Sequence, residues 1–256
     1  MNADDRHRQI VGLIRTRGYI SNDELARLFE VTVQTIRRDV NQLAASGRIT
    51  RHHGGAGLAN GIENIAYTER QALNRTEKHA IAQQASAAIP DSSSLFISIG
   101  TTTEAFARAL RGHSGLQVIT NNLQVAGLLW PQPGFRVAVA GGTVRSHDGG
   151  MVGQSACDQI NCFRADFGVI GISGIDEDGS LLDFDMEEIR VARAIMKNAR
   201  QVFLLADHTK FGRRPLMRLG SITEVHALFT DRSPPAGVTR LLSEHQIPCH
   251  VGNLIA

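Results

Sequence analysis

Two groups of residues in the 256-residue chain bring recognition chemistry together at short spacing. The first is Gln34-Thr35-Ile36-Arg37-Arg38-Asp39-Val40-Asn41. Helical spacing puts Ile36, Val40 and Leu43 on one apolar stripe, which turns Gln34, Thr35, Arg37, Arg38 and Asn41 toward other faces. Arg bonds bidentately to the major-groove edge of guanine and Gln to adenine. Thr35, near the positive end of the helix, suits a phosphate or a thymine methyl. A solvated surface would tolerate the same arginine pair. The second group is Ile97-Ser98-Ile99-Gly100-Thr101-Thr102-Thr103-Glu104. It runs from an apolar strand through a glycine into a helix, so the amides and hydroxyls of Thr101, Thr102 and Thr103 gather where an anion is favoured. Threonines at such a place also serve simply as caps.

The elements that must position the first group are three short helices. Ile10, Leu13 and Ile14 mark a helix from about Asp5 to Arg17 that ends at Gly18. Ser21-Asn22-Asp23-Glu24 has the form of a capping box and opens a second helix whose apolar face is Leu25, Leu28 and Phe29. Thr32 caps the third, and Gly47 stops it. Arg48-Ile49-Thr50-Arg51-His52-His53-Gly54-Gly55 then reads as a basic hairpin wing, with Arg48, Arg51, His52 and His53 facing a nucleic-acid backbone. A winged helix-turn-helix over residues 1–57 follows, then a joint over 58–75 rich in glycine at its start.

The second group needs a different frame. From Thr76 a helix through Ile81, Ala85 and Ile89 ends at Pro90, and apolar runs then alternate with helical stretches to the end of the chain. Strands are expected at 95–99, 116–120, 135–140, 167–172, 201–206 and 225–230, with helices at 102–110, 122–129 and 187–199. Such alternation predicts a mainly parallel sheet covered on both faces, an α/β domain over 76–256. Ligands collect at the carboxyl ends of the strands in such sheets. Thr120 and Asn121, Gly141 and Gly142, Arg145, Asp176, Asp183 to Asp185, Asp207 and Lys210 all fall in segments at those ends. A turn-forming acid at Asp207 and a surface lysine at Lys210 fit the same positions.

The charge is distributed accordingly. Residues 1–57 hold nine Arg against six acids, whereas the remainder holds 18 bases against 19 acids. That places the basic excess at the end expected to meet nucleic acid. Cys157, Cys162 and Cys249 lack paired zinc spacing, so no metal, cofactor or disulfide framework is expected. The polar N-terminus and the absence of a long apolar run point to a cytoplasmic protein with no membrane span.

Val33-Gln34-Thr35-Ile36-Arg37-Arg38-Asp39-Val40, followed by Gly47-Arg48-Ile49-Thr50-Arg51-His52-His53-Gly54-Gly55-Ala56, resembles the signature of the DeoR family of repressors. The later segments resemble that family's effector domain, which is similar in fold to ribose-5-phosphate isomerase. The resemblance implies DNA contact at Gln34, Thr35, Arg37, Arg38, Arg51 and His52, with Asp39 orienting an arginine. It also implies a phosphate held by Gly100, Thr101, Thr102 and Thr103, a pocket lined by Thr120, Asn121, Gly141 and Gly142, a hydroxyl bound by Asp176 and an anion neutralised by Lys210. The implied partners are double-stranded operator DNA and a phosphorylated sugar or polyol, glycerol-3-phosphate foremost, acting on a homodimer or homotetramer. The competing reading is an isomerase with a regulatory head, using Asp176, Glu177 or Asp178 as proton-transfer base. Against it, the lysine- and glycine-rich catalytic segment associated with those isomerases has no counterpart here, and no catalytic residue is assigned.

Overall fold

The computed structural model describes residues 3–17, 19–46, 48–52, 55–58 and 67–252. The chain divides into two compact units, Met1–Asn64 and Ile65–Ala256.

In the first unit, α1 (Ala3–Arg17) is followed by β1 (Tyr19–Ser21), α2 (Asn22–Phe29), α3 (Val33–Ala45), β2 (Ile49–His52) and β3 (Gly55–Leu58). The Ser21 side chain accepts from the Glu24 amide and opens α2, and the Thr32 hydroxyl accepts from the Thr35 amide and opens α3. Both caps satisfy amides that have no partner within the helix. Ile10, Ile14, Leu25, Ile36, Val40 and Leu43 meet in one core, sealed by Ile20, Ile49 and Ala56 from the strands. The wing gains a third strand that periodicity did not reveal, because β1 pairs antiparallel with β3 and makes the order β1-β3-β2. Leu28, expected on the buried face of α2, is exposed. Gly18 and Gly47, expected as helix stops, lie outside the described residues.

The second unit opens with α4 (Tyr67–Ala72) and α5 (Arg75–Ala87). The joint expected over 58–75 is therefore corrected at both ends: Leu58 completes the wing sheet, and α4 is an ordered helix of the second unit. There follow β4 (Ser94–Ile97), α6 (Thr101–Ala109), β5 (Gln117–Thr120), α7 (Leu123–Leu129), β6 (Arg136–Val139), β7 (Thr143–Val144), β8 (Met151–Val152), α8 (Gln154–Asn161) and β9 (Ala165–Gly171). The chain continues through β10 (Gly174–Ile175), β11 (Ser180–Asp183), α9 (Met186–Asn198), β12 (Ala199–Leu205), β13 (Met217–Ser221), β14 (Ala227–Thr230), α10 (Ala236–Glu244) and β15 (Cys249–Val251).

The central sheet is parallel throughout, in the order β15-β14-β12-β9-β4-β5-β6. Successive side chains of each strand enter opposite layers. Leu95, Ile97, Val169, Phe203 and Leu205 pack with α5, α6 and α7, while Phe96, Ile170, Val202 and Leu204 pack with α8, α9 and α10. The expected α/β architecture with helices on both faces is thus present, and a small antiparallel sheet, β10-β11-β13, is added to it. Strand order reverses direction between β4 and β9, so the loops after those two strands flank the crevice where doubly wound sheets bind ligands. Among the described residues no helix is long and apolar enough to cross a membrane.

Candidate functional site

The face of α3 opposite its core stripe is exposed at Gln34, Arg37, Arg38 and Asn41. Among the described residues the side chains of Arg37 and Arg38 have no hydrogen-bond or ion-pair partner. Two donors of this kind on one exposed helical face remain free for an outside acceptor. Arg51 of β2 donates to the Asn41 carboxamide at 3.3 Å and ties the wing to α3. Arg48 is exposed at the start of the wing. Thr35 is half-buried and its hydroxyl lies 2.9 Å from that of Thr32, so capping occupies it in part. His52 lies in β2, paired with Gly55, and His53 lies outside the described residues.

Asp39 does orient an arginine, and that arginine is Arg6. Arg6 Nε and Nη2 donate to the two Asp39 carboxylate oxygens at 2.6 and 3.1 Å, and His7 Nε2 lies 2.9 Å from Oδ1. Burial raises the Asp39 carboxyl, but the hydrogen bonds to Arg6 and His7 outweigh it and hold the group below the usual carboxylate range. The pairing fixes α1 against α3 and therefore the angle at which the exposed face is presented.

In the second unit, Gly100 adopts φ +142°, a conformation suited to glycine, and lets the chain turn from β4 into α6. Thr101 is half-exposed at the first turn, whereas Thr102 and Thr103 are buried. The Thr103 hydroxyl lies 2.8 Å from each of the carbonyls of Ser98 and Gly100. The hydroxyl braces the turn, because its only proton is used internally, which leaves the first-turn backbone amide as the group that suits an anion. Thr120 likewise donates to the Ile97 carbonyl at 2.7 Å and accepts from the Asn122 amide. It joins β5 to β4 and has no hydroxyl proton left for a ligand. Asn121 is fully buried; its Nδ2 donates to the Met151 carbonyl, and its Oδ1 has no partner among the described residues.

Gly141 donates its amide to Gln159 Oε1 at 2.8 Å, and a Cβ on Gly142 would come within 2.5 Å of the Val152 carbonyl. Close packing against α8 and β8 accounts for both glycines. Arg145 is corrected more firmly. Its Nη1 donates to Asp185 at 2.7 Å and to Glu188 at 2.5 Å, and the Asp148 carboxylate takes Nε and Nη2. Burial lowers the guanidinium, yet Glu188 and Asp148 leave it above its ordinary range. The same burial, with Asp183 nearby, pushes Glu188 up to about 7 against the pull of Arg145. Arg145 is thus committed to three acids. Asp176 is committed too, accepting from the Glu177 amide and from Arg214 Nε, each at 2.8 Å.

Asp207 and Lys210 follow β12 on a short turn. The Asp207 side chain caps it by accepting from the Thr209 amide, and also accepts from Asn74 Nδ2 at 3.2 Å. Burial raises Asp207, while Lys210, Thr209 and Lys78 bring it below the ordinary range. Lys210 feels burial first, which lowers it; Asp207 opposes that, and the charges of Arg213, Arg70 and Lys78 reinforce it, leaving the ammonium at about 8. Sequence reasoning missed Arg70, Lys78 and Arg213. The signal for Lys78 was available, since it lies one turn before Ile81 on the buried side of α5, where a cation needs partners. Its Nζ donates to the carbonyls of Arg70 and Leu73. Arg213 stands over the Phe184 ring at 5.4 Å. A groove of about 770 Å³ opens beside this region, with Gln71, Arg75, Lys78, Thr101, Glu104 and Arg108 in its walls. Among the described residues no cluster of His, Cys, Asp and Glu is placed to hold a metal.

A winged helix-turn-helix with free arginines on its third helix, joined in one chain to a doubly wound domain with cations beyond its strand ends, defines a ligand-responsive transcriptional regulator. Residues 6–61 match the DeoR-like helix-turn-helix domain and residues 73–232 the DeoR C-terminal sensor domain. The chain belongs to the DeoR family. It is similar to the glycerol-3-phosphate regulon repressor of Escherichia coli (strain K12), with 49% identity covering 96% of this chain and 98% of that protein. It is also similar to the transcriptional repressor CsqR of the same organism, with 45% identity covering 96% and 95%. Among solved structures, ribose 5-phosphate isomerase A from Methanocaldococcus jannaschii matches with 15% identity and a TM-score of 0.40, covering 54% of this chain and 55% of that one.

Proposed function

We propose that the protein is a repressor of glycerol-3-phosphate metabolism genes, released from operator DNA by glycerol-3-phosphate bound in the second unit. The observation that carries the ligand class is the convergence of Arg70, Lys78, Lys210 and Arg213 on Asp207 and Asp183. Glu104 and Glu77 also face Lys78 and Asp148 faces Arg70, so the favoured place for an anion is beside Lys210, where Arg213, Arg70 and Lys78 outnumber Asp207. A phosphate ester is a dianion near neutral pH. Similarity to the glycerol-3-phosphate regulon repressor supports the choice of ester. Gln34, Thr35, Arg37, Arg38, Asn41, Arg48, Arg51, His52 and His53 form the DNA-contacting set. The ester's hydroxyls fall to Asp207 and to the loops after β4 and β9. Operators of paired half-sites imply a homodimer or homotetramer, and the protein acts in the cytoplasm without catalysis.

Ligand and operator then oppose each other by the same factor, whichever binds first. Fluorescence anisotropy on promoter DNA from a glycerol-catabolism operon, at fixed salt, tests this. Glycerol-3-phosphate is expected to release the DNA and glycerol is not; sequence-independent binding, or release by glycerol alone, would sink the proposal. Arg38→Ala is expected to weaken operator binding and to flatten its logarithmic salt dependence by about one unit, the contribution of one phosphate contact. An unchanged slope would remove Arg38 from the interface. Incubation with ribose-5-phosphate is expected to yield no ribulose-5-phosphate above a buffer control, and turnover would favour the isomerase reading.

A further inference from the structure

The two edges of the central sheet are finished differently. At β15 the edge is short and covered: Gln84 of α5 donates its Nε2 to the Val251 carbonyl at 2.8 Å, and the His250 ring stacks on Phe229. At β6 the edge is bare. The Arg136 and Ala140 amides donate inward to the Leu116 and Thr120 carbonyls at 2.9 and 2.8 Å, so strand alternation turns the amides and carbonyls of Val137 and Val139 outward. Those outward groups have no hydrogen-bond partner among the described residues, since β6 pairs with β5 and ends the strand order. Proteins usually blunt such an edge with charge, proline or a bulge. Apart from Arg136 at its start, Arg136-Val137-Ala138-Val139 has none of these, and its register with β5 is regular. The helix beside it continues the feature. Leu123, Gly127 and Trp130 stand at i, i+4 and i+7 along α7 and its cap, on the side away from Val125 and Leu129, which enter the core. Leu123 is 42% exposed, Val139 41% and Trp130 71%. Val137 packs into the layer of α7, and alternation places Val139 in the same layer, so strand and helix present one apolar surface.

We propose that β6 and α7 form the interface between two copies of this chain, the β6 strands pairing antiparallel about a two-fold axis. The proposal rests on the homo-oligomer reading above and adds to it the face through which the copies meet. Self-complementarity identifies the occupant. An axis through Ala138 sets Val137 of each copy opposite Val139 of the other, and each such pair exchanges amide for carbonyl, so every outward donor and acceptor is used. The valines then meet side by side on the α7 layer, where cross-strand pairs stabilise a sheet. Arg136 falls on the opposite layer, about 14 Å from its mate at roughly 3.4 Å per residue, which is beyond the roughly 8 Å over which charges act at physiological salt. The same axis makes the two α7 helices antiparallel, which brings Trp130 of one copy to Leu123 of the other. Gly127 lies midway along the stripe with open space where a side chain would stand, so the helices can close there. Small residues thus sit at the axis on both layers, Ala138 and Gly127, and apolar ones flank it. Arg136 is the one charged residue among these, so the surface does not ask for a charged peptide or a nucleic acid. An exposed tryptophan at its rim is the residue type that anchors protein interfaces.

Trp130 is the chain's single tryptophan, which makes the test direct. Sedimentation velocity of the full-length protein across a concentration series gives the oligomeric state, and tryptophan emission with acrylamide quenching is read on the same samples. In the oligomer Trp130 is expected to emit to the blue of free tryptophan and to be shielded from acrylamide, a readout that stands even if a variant does not fold. Leu123→Glu and Trp130→Lys, both at exposed positions, are each expected to raise the dissociation constant for self-association at least about tenfold. The double variant is expected to recover most of that loss, because position 130 of one copy meets position 123 of the other and the introduced charges are opposite. An oligomer whose Trp130 is quenched as readily as free tryptophan would overturn this interface and leave the homo-oligomer reading standing. Single variants that associate as the wild type does would overturn it as well. A wild type that stays monomeric at every concentration would remove both.

Discussion

Asp39→Ala is expected to remove about 3–5 kcal/mol from the stability of the N-terminal unit, and operator binding with it. The Asp39 side chain is 6% exposed and that of Arg6 11%, so deleting the acid strands a nearly buried guanidinium with no carboxylate to pair with. His7 loses its partner in the same step. A small domain has only a few kcal/mol in reserve, which makes this loss a large share of the total. Asp39→Asn is expected to do less damage, since a carboxamide can still accept from one Arg6 nitrogen. Two units make a single unfolding transition a poor measure. Amide exchange over α3, read beside calorimetric binding of glycerol-3-phosphate, distinguishes local from global damage: α3 loses protection and ligand binding persists. Wild-type protection of α3 in Asp39→Ala would show that the ion pair is dispensable. Because folding lowers the Asp39 carboxyl, its stabilisation is present above about pH 4, the ordinary carboxylate value, and is lost as pH falls through the lower folded value.

That prediction rests on a residue whose role was only partly legible. Asp39 follows Arg38 in the chain, and an acid inside a basic helix suggests an arginine to orient. The arginine it orients comes from α1, 33 residues away, and nothing in helical spacing points there. The elements themselves were easier to read. Ile36, Val40 and Leu43, or Leu95 to Ile97, record burial directly, since apolar side chains recur at the period of the element that hides them. Short elements with polar contacts leave no such record. Helix α4 holds its place through Tyr67, Gln71 and, through Lys78, its own carbonyls, so it read as joint. The β1 strand is three residues long and becomes a strand only by pairing with β3.

The strand ends show the same division. Their location followed from topology, because glycines, threonines and charges recur after each apolar run. Which of those groups is free did not follow. Arg145 and Lys210 look alike in sequence, each a base just past a strand. Asp148 of its own loop and Asp185 and Glu188 at the start of α9 close around Arg145, whereas Lys210 receives Asp207 and three further cations. Composition could not separate a satisfied cation from a frustrated one. Thr103 and Thr120 were ambiguous for a related reason: a hydroxyl suits a ligand or a neighbouring carbonyl equally well, and only the fold decides which is within reach.

The frustrated lysine leads to the second large effect. Affinity for glycerol-3-phosphate is expected to be highest between about pH 6 and about pH 8 and to fall about tenfold per unit above that window. The acid limit is the ligand's own, since a phosphate ester takes up its second proton near pH 6. The alkaline limit belongs to Lys210, whose ammonium is held at about 8 by burial and by Arg213, Arg70 and Lys78, with Asp207 and Asp183 the nearby acids. A dianion favours the charged lysine, so binding raises its pKa and draws in a proton when the free protein has begun to lose it. Calorimetry near pH 8 in buffers of different ionisation enthalpy should therefore register proton uptake on binding, and essentially none near pH 7. Lys210→Met is expected to weaken binding by about 100-fold at neutral pH, as loss of a desolvated charge-assisted contact implies, and to abolish the alkaline fall. Arginine at the same position, Lys210→Arg, should retain much of the affinity while moving the fall beyond the measurable range, because guanidinium does not titrate there. Were the alkaline fall to persist unchanged in Lys210→Met, the titrating group would lie elsewhere, and the cation that meets the phosphate would have to be sought among Arg70, Lys78 and Arg213.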